Sequence, residues 1–225
     1  MTKIVCISDT HCQLDEIEVP EGDILIHAGD ALSRGTYSEF SEFIKRFSAL
    51  PHKYKVYVPG NHDRVTELNE ELIRDDCTAL GVRYINNESL EILGIKFYGS
   101  GITPRFHDWA WNRDSGDGGT SYGPNNINYD PIKPYWDAIP DEVDVLITHG
   151  PVKGILDVSV YDGRQCGCYY LLQRVMDIKP KYHVFGHIHN WGGMTEVVEG
   201  VTFINASVCN EAYDPTNEIV TIDYK

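Results

Sequence analysis

The chain has 225 residues, 42% hydrophobic and 24% charged, a balance that excludes extensive disorder and allows one domain, residues 1–225, with a sizeable core. Its net charge of −15 repels polyanions, and no Lys/Arg cluster offers a basic groove, so long nucleic acid is not expected as a partner. A small phosphorylated molecule stays compatible with that field, because bound divalent cations invert the potential around a carboxylate-rich site.

Met1-Thr2-Lys3 leads straight into an apolar run, Ile4 to Ile7, with no signal-peptide stretch ahead of it. No run is long enough to span a membrane, so the expectation is a cytoplasmic protein with no membrane partner. Ile4 to Ile7 and Ile24 to Ala28 predict strands. Thr36-Tyr37-Ser38-Glu39 is a capping box, and Phe40, Phe43, Ile44 and Phe47 follow at helical spacing, so an amphipathic helix should run to about Leu50-Pro51. Val56 to Val58 predicts a third strand, with a helix expected from Asp63 to about Thr78. Glu88 to Leu93 and Ile95 to Tyr98 alternate around Gly94 like a hairpin.

Residues 104–136 are aromatic at first, with Phe106, Trp109 and Trp111, then rich in Gly, Asn and Asp from Ser115 to Asn128. A stretch of this length is read as a lid-like loop near the site. Val143 to Thr148 and His183 to Gly186 predict strands on either side of a helix from Cys168 to Ile178, which Pro180 stops. Met194 to Val198 and Val201 to Ile204 flank the turn dipeptide Glu199-Gly200, and Ile219 to Ile222 is a candidate closing strand. Strand and helix alternation at both ends, with antiparallel pieces between and after, suggests two packed sheets with helices outside. Cys6, Cys12, Cys77, Cys166, Cys168 and Cys209 are scattered and read as free thiols, mostly buried, while Cys166-Gly167-Cys168 lacks the second pair of a structural zinc site.

Five blocks carry the chemistry: Asp9-Thr10-His11, Gly29-Asp30, Gly60-Asn61-His62-Asp63, His149-Gly150 and Gly186-His187-Ile188-His189. Each stands where an apolar run hands over to a loop, the place where sites of open α/β sheets collect. Asp9 and His11 can turn toward one ion if the chain leaves its strand between them, and Asp30 is a carboxylate able to bridge two ions. Asn61 is a neutral oxygen donor, and His149, His187 and His189 are nitrogen donors. This mixture suits Mn, Fe, Zn, Co or Ni better than Ca or Mg, with manganese the expected occupant. Singly, each block is also compatible with a cap, a turn or a surface histidine. Their joint order makes the metal-site reading.

That order, D-x-H, GD, GNH(D/E), H, GHxH, resembles the signature of calcineurin-like metallophosphoesterases. The flanks are similar to the metallophosphoesterase-domain family within that superfamily, through Leu50-Pro51-His52, Phe106 to Asn112, Asp144 to Pro151, His183 to His189 and Phe203 to Ser207. The resemblance implies a four-layer α/β/β/α sandwich of two mixed sheets flanked by helices, a dinuclear centre, and phosphodiesterase activity that includes cyclic nucleotides. It places Asp9, His11, Asp30 and His189 on one metal and Asp30, Asn61, His149 and His187 on the other, leaving His62 free. Two cations about 3.5–4 Å apart can share a hydroxide, lower its pKa and clamp the attacking and leaving oxygens. His62 is then the expected acid or charge stabiliser, and Asp63 either orients it or caps the following helix, with the cap favoured.

Asn61, His62 and Arg164 are the expected substrate-binding residues, Arg164 by meeting a phosphate or purine. His27 and His183 read as core or ligand-supporting residues, His52 as surface, and His107 as a candidate substrate contact. Gly29 to Gly35 lacks the second Asp of protein Ser/Thr phosphatases, and Asp63 stands where metallophosphoesterase-domain relatives generally carry Glu. His187, lost in some weakened relatives, is present, so an active enzyme on a small phosphodiester or nucleotide is expected. The alternatives are a phosphomonoesterase or protein phosphatase, a nuclease disfavoured by charge, and a nucleotide-binding regulatory protein.

Overall fold

Successive side chains on each apolar run point to opposite faces, and here both faces find partners, which is why the runs are apolar throughout. The computed structural model describes residues 1–115 and 126–225. A first sheet is built from β1 (Thr2–Ile7), β2 (Ile24–Ala28), β3 (Tyr54–Val58) and β4 (Arg83–Tyr84), all parallel. A second takes β5 (Glu88–Ile92) and β6 (Ile95–Ser100); β7 (Thr103–Pro104) and β8 (Asn112–Arg113) make a separate small pair. The second sheet continues through β9 (Val145–Thr148), β10 (Tyr182–Phe185), β11 (Thr195–Val198) and β12 (Val201–Asn205), while β13 (Val220–Tyr224) returns to the first and pairs antiparallel with β1. The orders are β13-β1-β2-β3-β4, antiparallel only at the β13 edge, and β11-β12-β10-β9-β6-β5, with a parallel centre and antiparallel edges.

The helices are α1 (Tyr37–Ala49), α2 (Arg64–Leu68), α3 (Glu70–Ala79), α4 (Lys133–Asp137) and α5 (Tyr169–Ile178). Ile4, Cys6, Ile26 and Val56 of the first sheet share one buried cluster with Phe97, Val145, Ile147 and Val184 of the second, so the sheets pack face to face. The alternate residues Val5, Leu25 and Tyr57 turn outward onto Phe40, Phe43 and Phe47 of α1 and Ile73 of α3. On the other side Leu146, Phe185 and Phe203 pack on Trp136 of α4 and Leu171 and Val175 of α5. The result is the expected α/β/β/α layering.

The capping box forms, with Glu39 N donating to Thr36 Oγ1 at 3.3 Å and Thr36 N to Glu39 Oε2 at 3.2 Å. Both hairpins form on left-handed turn pairs, Leu93-Gly94 at φ 54° and 76° and Glu199-Gly200 at φ 51° and 87°. The single helix expected from Asp63 to Thr78 is instead two. Asn69 at φ −139°, ψ 44° leaves the helical region between α2 and α3, as suits a residue whose side chain competes with helical backbone bonding. Part of the lid-like stretch, residues 116–125, lies outside the described residues.

Candidate metal centre

The five blocks leave the C-terminal ends of β1, β2, β3, β9 and β10, the parallel centres of the two sheets. At four of the expected ligands the backbone is left-handed: φ is 54° at Asp9, 42° at His11, 54° at Asp30 and 69° at His187. Non-glycine residues adopt that region at a cost, so the surrounding bonds must hold them there. Asp9 N donates to Gly29 O at 2.8 Å and His11 N to Asp30 O at 3.1 Å, locking the first two loops together. Across the sandwich, His187 N donates to both oxygens of Asp9, at 3.1 and 3.0 Å. Gly186 makes that approach possible, since a β-carbon there would collide with Asp9 Oδ2 and Ser8 Oγ.

All seven expected ligands converge. Asp9, His11 and His189 form one group of donor atoms within 4.8 Å of one another, and Asp30, His149 and His187 form a second. Asn61 Oδ1 lies 2.9 Å and Asp30 Oδ2 3.3 Å from His149 Nε2. His11, Asp30 and His62 make a further such group, so His62 stands close to the centre as well.

The histidines are aimed by carbonyls that the sequence does not advertise. Nδ1 of His11 donates to Leu32 O (3.1 Å), of His149 to Ala28 O (2.9 Å) and of His189 to Asn210 O (3.1 Å). This fixes the tautomer and leaves Nε2 as the donor atom, the usual arrangement of a metal-binding imidazole. His11 Nε2 and His189 Nε2 then confront each other at 3.3 Å, with Asp9 Oδ1 3.4 Å from the latter. Two imidazole nitrogens and a carboxylate gathered in one buried place are a donor set suited to a cation.

Charge in the centre follows the same logic. Burial alone raises the carboxyls of Asp9 and Asp30, yet His189 beside the first and His149 beside the second hold both below the usual carboxylate range. His149 is opposed by its own burial, but the Asp30 carboxylate outweighs that and lifts it to about 9. Burial depresses His187 to about 3, which keeps its imidazole neutral.

His62 donates Nδ1–H to Ser33 O at 2.8 Å, and its backbone N donates to Asp30 Oδ1 at 2.7 Å. Trp109 stacks on its ring at 4.3 Å between centroids. Asp63 does neither of the two things expected of it. It occupies the N-cap position of α2 without a side-chain capping bond, and Ser33 rather than Asp63 partners the His62 ring. Its carboxylate turns back to accept from Leu32 N (2.9 Å) and Gly60 N (2.8 Å), satisfying two buried backbone donors. Burial, then the charge of Asp30, pushes that carboxyl up to about 7.

A cavity of about 670 Å³ opens over the centre. Asp30, Asn61, His62, His187 and His189 lie in its lining, and Phe106, Trp109, Tyr161 and Tyr213 bring aromatic rings to it. His107 and Arg164 also line it, Arg164 with a side chain 80% exposed and 3.4 Å from Asp162. Tyr213 went unseen in the sequence: its ring lies 4.8 Å from His11 and 5.1 Å from His189, brought there by a tertiary fold with no local motif. The remaining histidines do support work. His27 Nε2 lies 2.9 Å from Thr10 Oγ1 and His183 Nε2 2.8 Å from Thr148 Oγ1, each pair bracing a ligand loop, whereas His52, expected at the surface, is buried against Pro20 O.

A model of the calcineurin-like phosphoesterase family matches residues 2–191. The chain is a calcineurin-like phosphoesterase. This phosphoesterase is 34% identical over 245 residues to metallophosphoesterase domain-containing protein 1 of Homo sapiens, covering 99% of this chain and 71% of that one. It is 37% identical over 236 residues to a UPF0046 protein of Caenorhabditis elegans, covering 95% and 79%. Among solved structures, the phosphopantetheinyl hydrolase of Mycobacterium tuberculosis superposes with a TM-score of 0.69 at 16% identity over 99% of this chain and 96% of that one, a likeness of fold alone. The family hydrolyses phosphoesters with two metal ions, and the donor groups of this phosphoesterase fit such a pair. Among its described residues no helix is long and apolar enough to cross a membrane.

Proposed function

We propose that this phosphoesterase is a phosphodiesterase of small phosphodiesters, with 2′,3′- or 3′,5′-cyclic nucleotides foremost. The observation that carries the reading is two adjacent donor groups, Asp9, His11 and His189 beside Asp30, His149 and His187, joined by a further group that holds His11 with Asp30, beneath an aromatic-walled cavity. Asp9, His11, Asp30 and His189 hold one divalent ion; Asp30, Asn61, His149 and His187 hold the other, with manganese expected and Fe, Zn, Co or Ni as alternatives. When bound, such a pair supplies Lewis acidity at phosphoryl oxygens and a water activated for attack.

The chain's own residues do the rest. His62, with Nδ1–H held by Ser33 O, keeps Nε2 for a proton passed to the leaving oxygen. Asn61 and His62 meet the phosphoryl group, while Arg164 at the rim meets a phosphate or purine. Asp63 acts only by fixing the Leu32 and Gly60 amides that carry the neighbouring loops. Phe106, Tyr161 and Tyr213 supply apolar wall for a base. The net charge of −15 suits a small substrate better than a nucleic acid polymer, residues 1–225 work as one domain, and six free cysteines suit a reducing cytoplasm.

The test is turnover by the purified protein with Mn²⁺ on bis-p-nitrophenyl phosphate, p-nitrophenyl phosphate, 2′,3′- and 3′,5′-cyclic nucleotides and single-stranded DNA. Diesters should outrun the monoester and DNA. No turnover of any diester with metal loaded overturns the reading, and tight nucleotide binding in that case marks a regulatory protein instead.

A further inference from the structure

We propose that Trp109 is a positioning residue for His62, setting the plane of its imidazole so that Nε2 can serve an alkoxide leaving group. The proposal rests on His62 being the proton donor of the diester reaction. One hydrogen bond at Nδ1 does not fix a ring, because the terminal torsion of a histidine is broad and the imidazole can pivot about that bond. The contact with His11, at 4.9 Å and 80°, is edge-to-face and stacks nothing parallel on the imidazole. Trp109 covers one face at 4.3 Å and 28°, and among the described residues it is the only ring stacked on His62.

Trp109 is itself tied to the loop it serves. Ala110 N donates to Asn61 O at 3.2 Å, and Arg64, two residues beyond His62, donates from Nη2 to Asp108 O at 2.6 Å while its guanidinium lies 4.9 Å over the indole. The indole thus moves with Asn61 and His62 and is anchored from both of its flanks. That is how a backing plate is built, whereas a base-stacking platform needs a face left open to the ligand.

The chemistry supplies a readout that shape alone does not move. As a water oxygen bonds to phosphorus, the P–O bond to the leaving group breaks, the leaving oxygen keeps the electron pair, and an alkoxide takes the His62 proton. The water gives up a proton in turn, and the imidazole is restored with no net change. A p-nitrophenolate leaves without that proton, so its departure is far less sensitive to the angle of His62 than that of an alkoxide.

Trp109→Ala and Trp109→Phe are compared with wild type, loaded with Mn²⁺, on 2′,3′-cyclic AMP and on bis-p-nitrophenyl phosphate. Trp109→Ala should lower kcat on the cyclic nucleotide by about tenfold or more, yet stay within about threefold on the p-nitrophenyl diester, with Trp109→Phe restoring most of the loss. Metal content by elemental analysis should stay at the wild-type level. Equal losses on both substrates, a loss confined to KM, or no loss overturns the proposal. A crystal structure of Trp109→Ala should show the His62 ring rotated off its present plane; an unmoved ring also overturns it. If wild type turns over neither diester, the phosphodiesterase reading fails, and the crystal structure still judges the role of Trp109.

Discussion

Asp30 is asked to do more than any other side chain in the centre. Its Oδ1 accepts from His62 N at 2.7 Å and its Oδ2 lies 3.3 Å from His149 Nε2, so one carboxylate ties the second, third and fourth motif blocks together. Asp30→Ala should leave fewer than two metals per chain by elemental analysis and cost more than about a hundredfold in kcat, the upper end for groups that merely support a ligand. Two metals surviving that change would remove Asp30 as the bridge. His62→Ala separates chemistry from binding: both metals should stay while kcat on an alkyl diester falls by about a hundredfold to ten-thousandfold. Lost metal would make His62 a ligand, which its place in a group with His11 and Asp30 makes worth measuring. At this scale the sequence identifies residue types well and side-chain directions poorly. The Asp63 carboxylate was legible as a carboxylate after a histidine, but its choice of Leu32 N and Gly60 N depends on buried donors from two other loops. The carbonyls of Leu32, Ala28 and Asn210 that aim the histidines carry no signature, because every residue has one.

Elements were more legible, since their signals are local. Thr36 and Glu39 announce the start of α1, and the hairpin dipeptides Leu93-Gly94 and Glu199-Gly200 announce left-handed turns. Thr36→Ala should lower stability by about 1 kcal/mol in chemical denaturation, with metal content and kcat unchanged, because α1 packs on the outer face of the first sheet away from the centre. A change in kcat would mean that α1 reaches the site. Gly186→Ala should behave in the opposite way, since the added carbon meets Asp9 Oδ2 and Ser8 Oγ at the contact between the two ligand loops. Metal content should fall with it, measured on folded protein recovered by size-exclusion chromatography. The break at Asn69 was hidden for a physical reason: Val65, Ile73 and Cys77 keep helical spacing across it, so the buried pattern runs on while the backbone does not.

For the whole molecule, the decisive fact is that the centre draws its donors from both sheets. Asp9, His11, Asp30, Asn61 and His62 follow strands of the first, while His149, His187 and His189 follow strands of the second, and they meet over the shared apolar core. The buried carboxylates and imidazoles that converge there are costly to desolvate without a cation, and the unfolded chain offers no comparable site. Metal binding should therefore stabilise the sandwich as a unit. A ligand present at about a hundred times its Kd contributes about 2.7 kcal/mol, so two ions contribute about 5 kcal/mol. For a domain of this size each kcal/mol moves Tm by about 2–4 °C, which gives a drop of about 10–20 °C on removing both ions. Differential scanning calorimetry of the protein before and after chelation checks this, with Mn²⁺ restoring the original Tm. Asp30→Ala should show a much smaller response to both treatments, because it lacks the carboxylate assigned to both proposed metal shells. A wild-type Tm indifferent to chelation, in protein shown by elemental analysis to have lost its metals, would mean that the two sheets are held by their apolar core alone and that the centre is added to a finished fold.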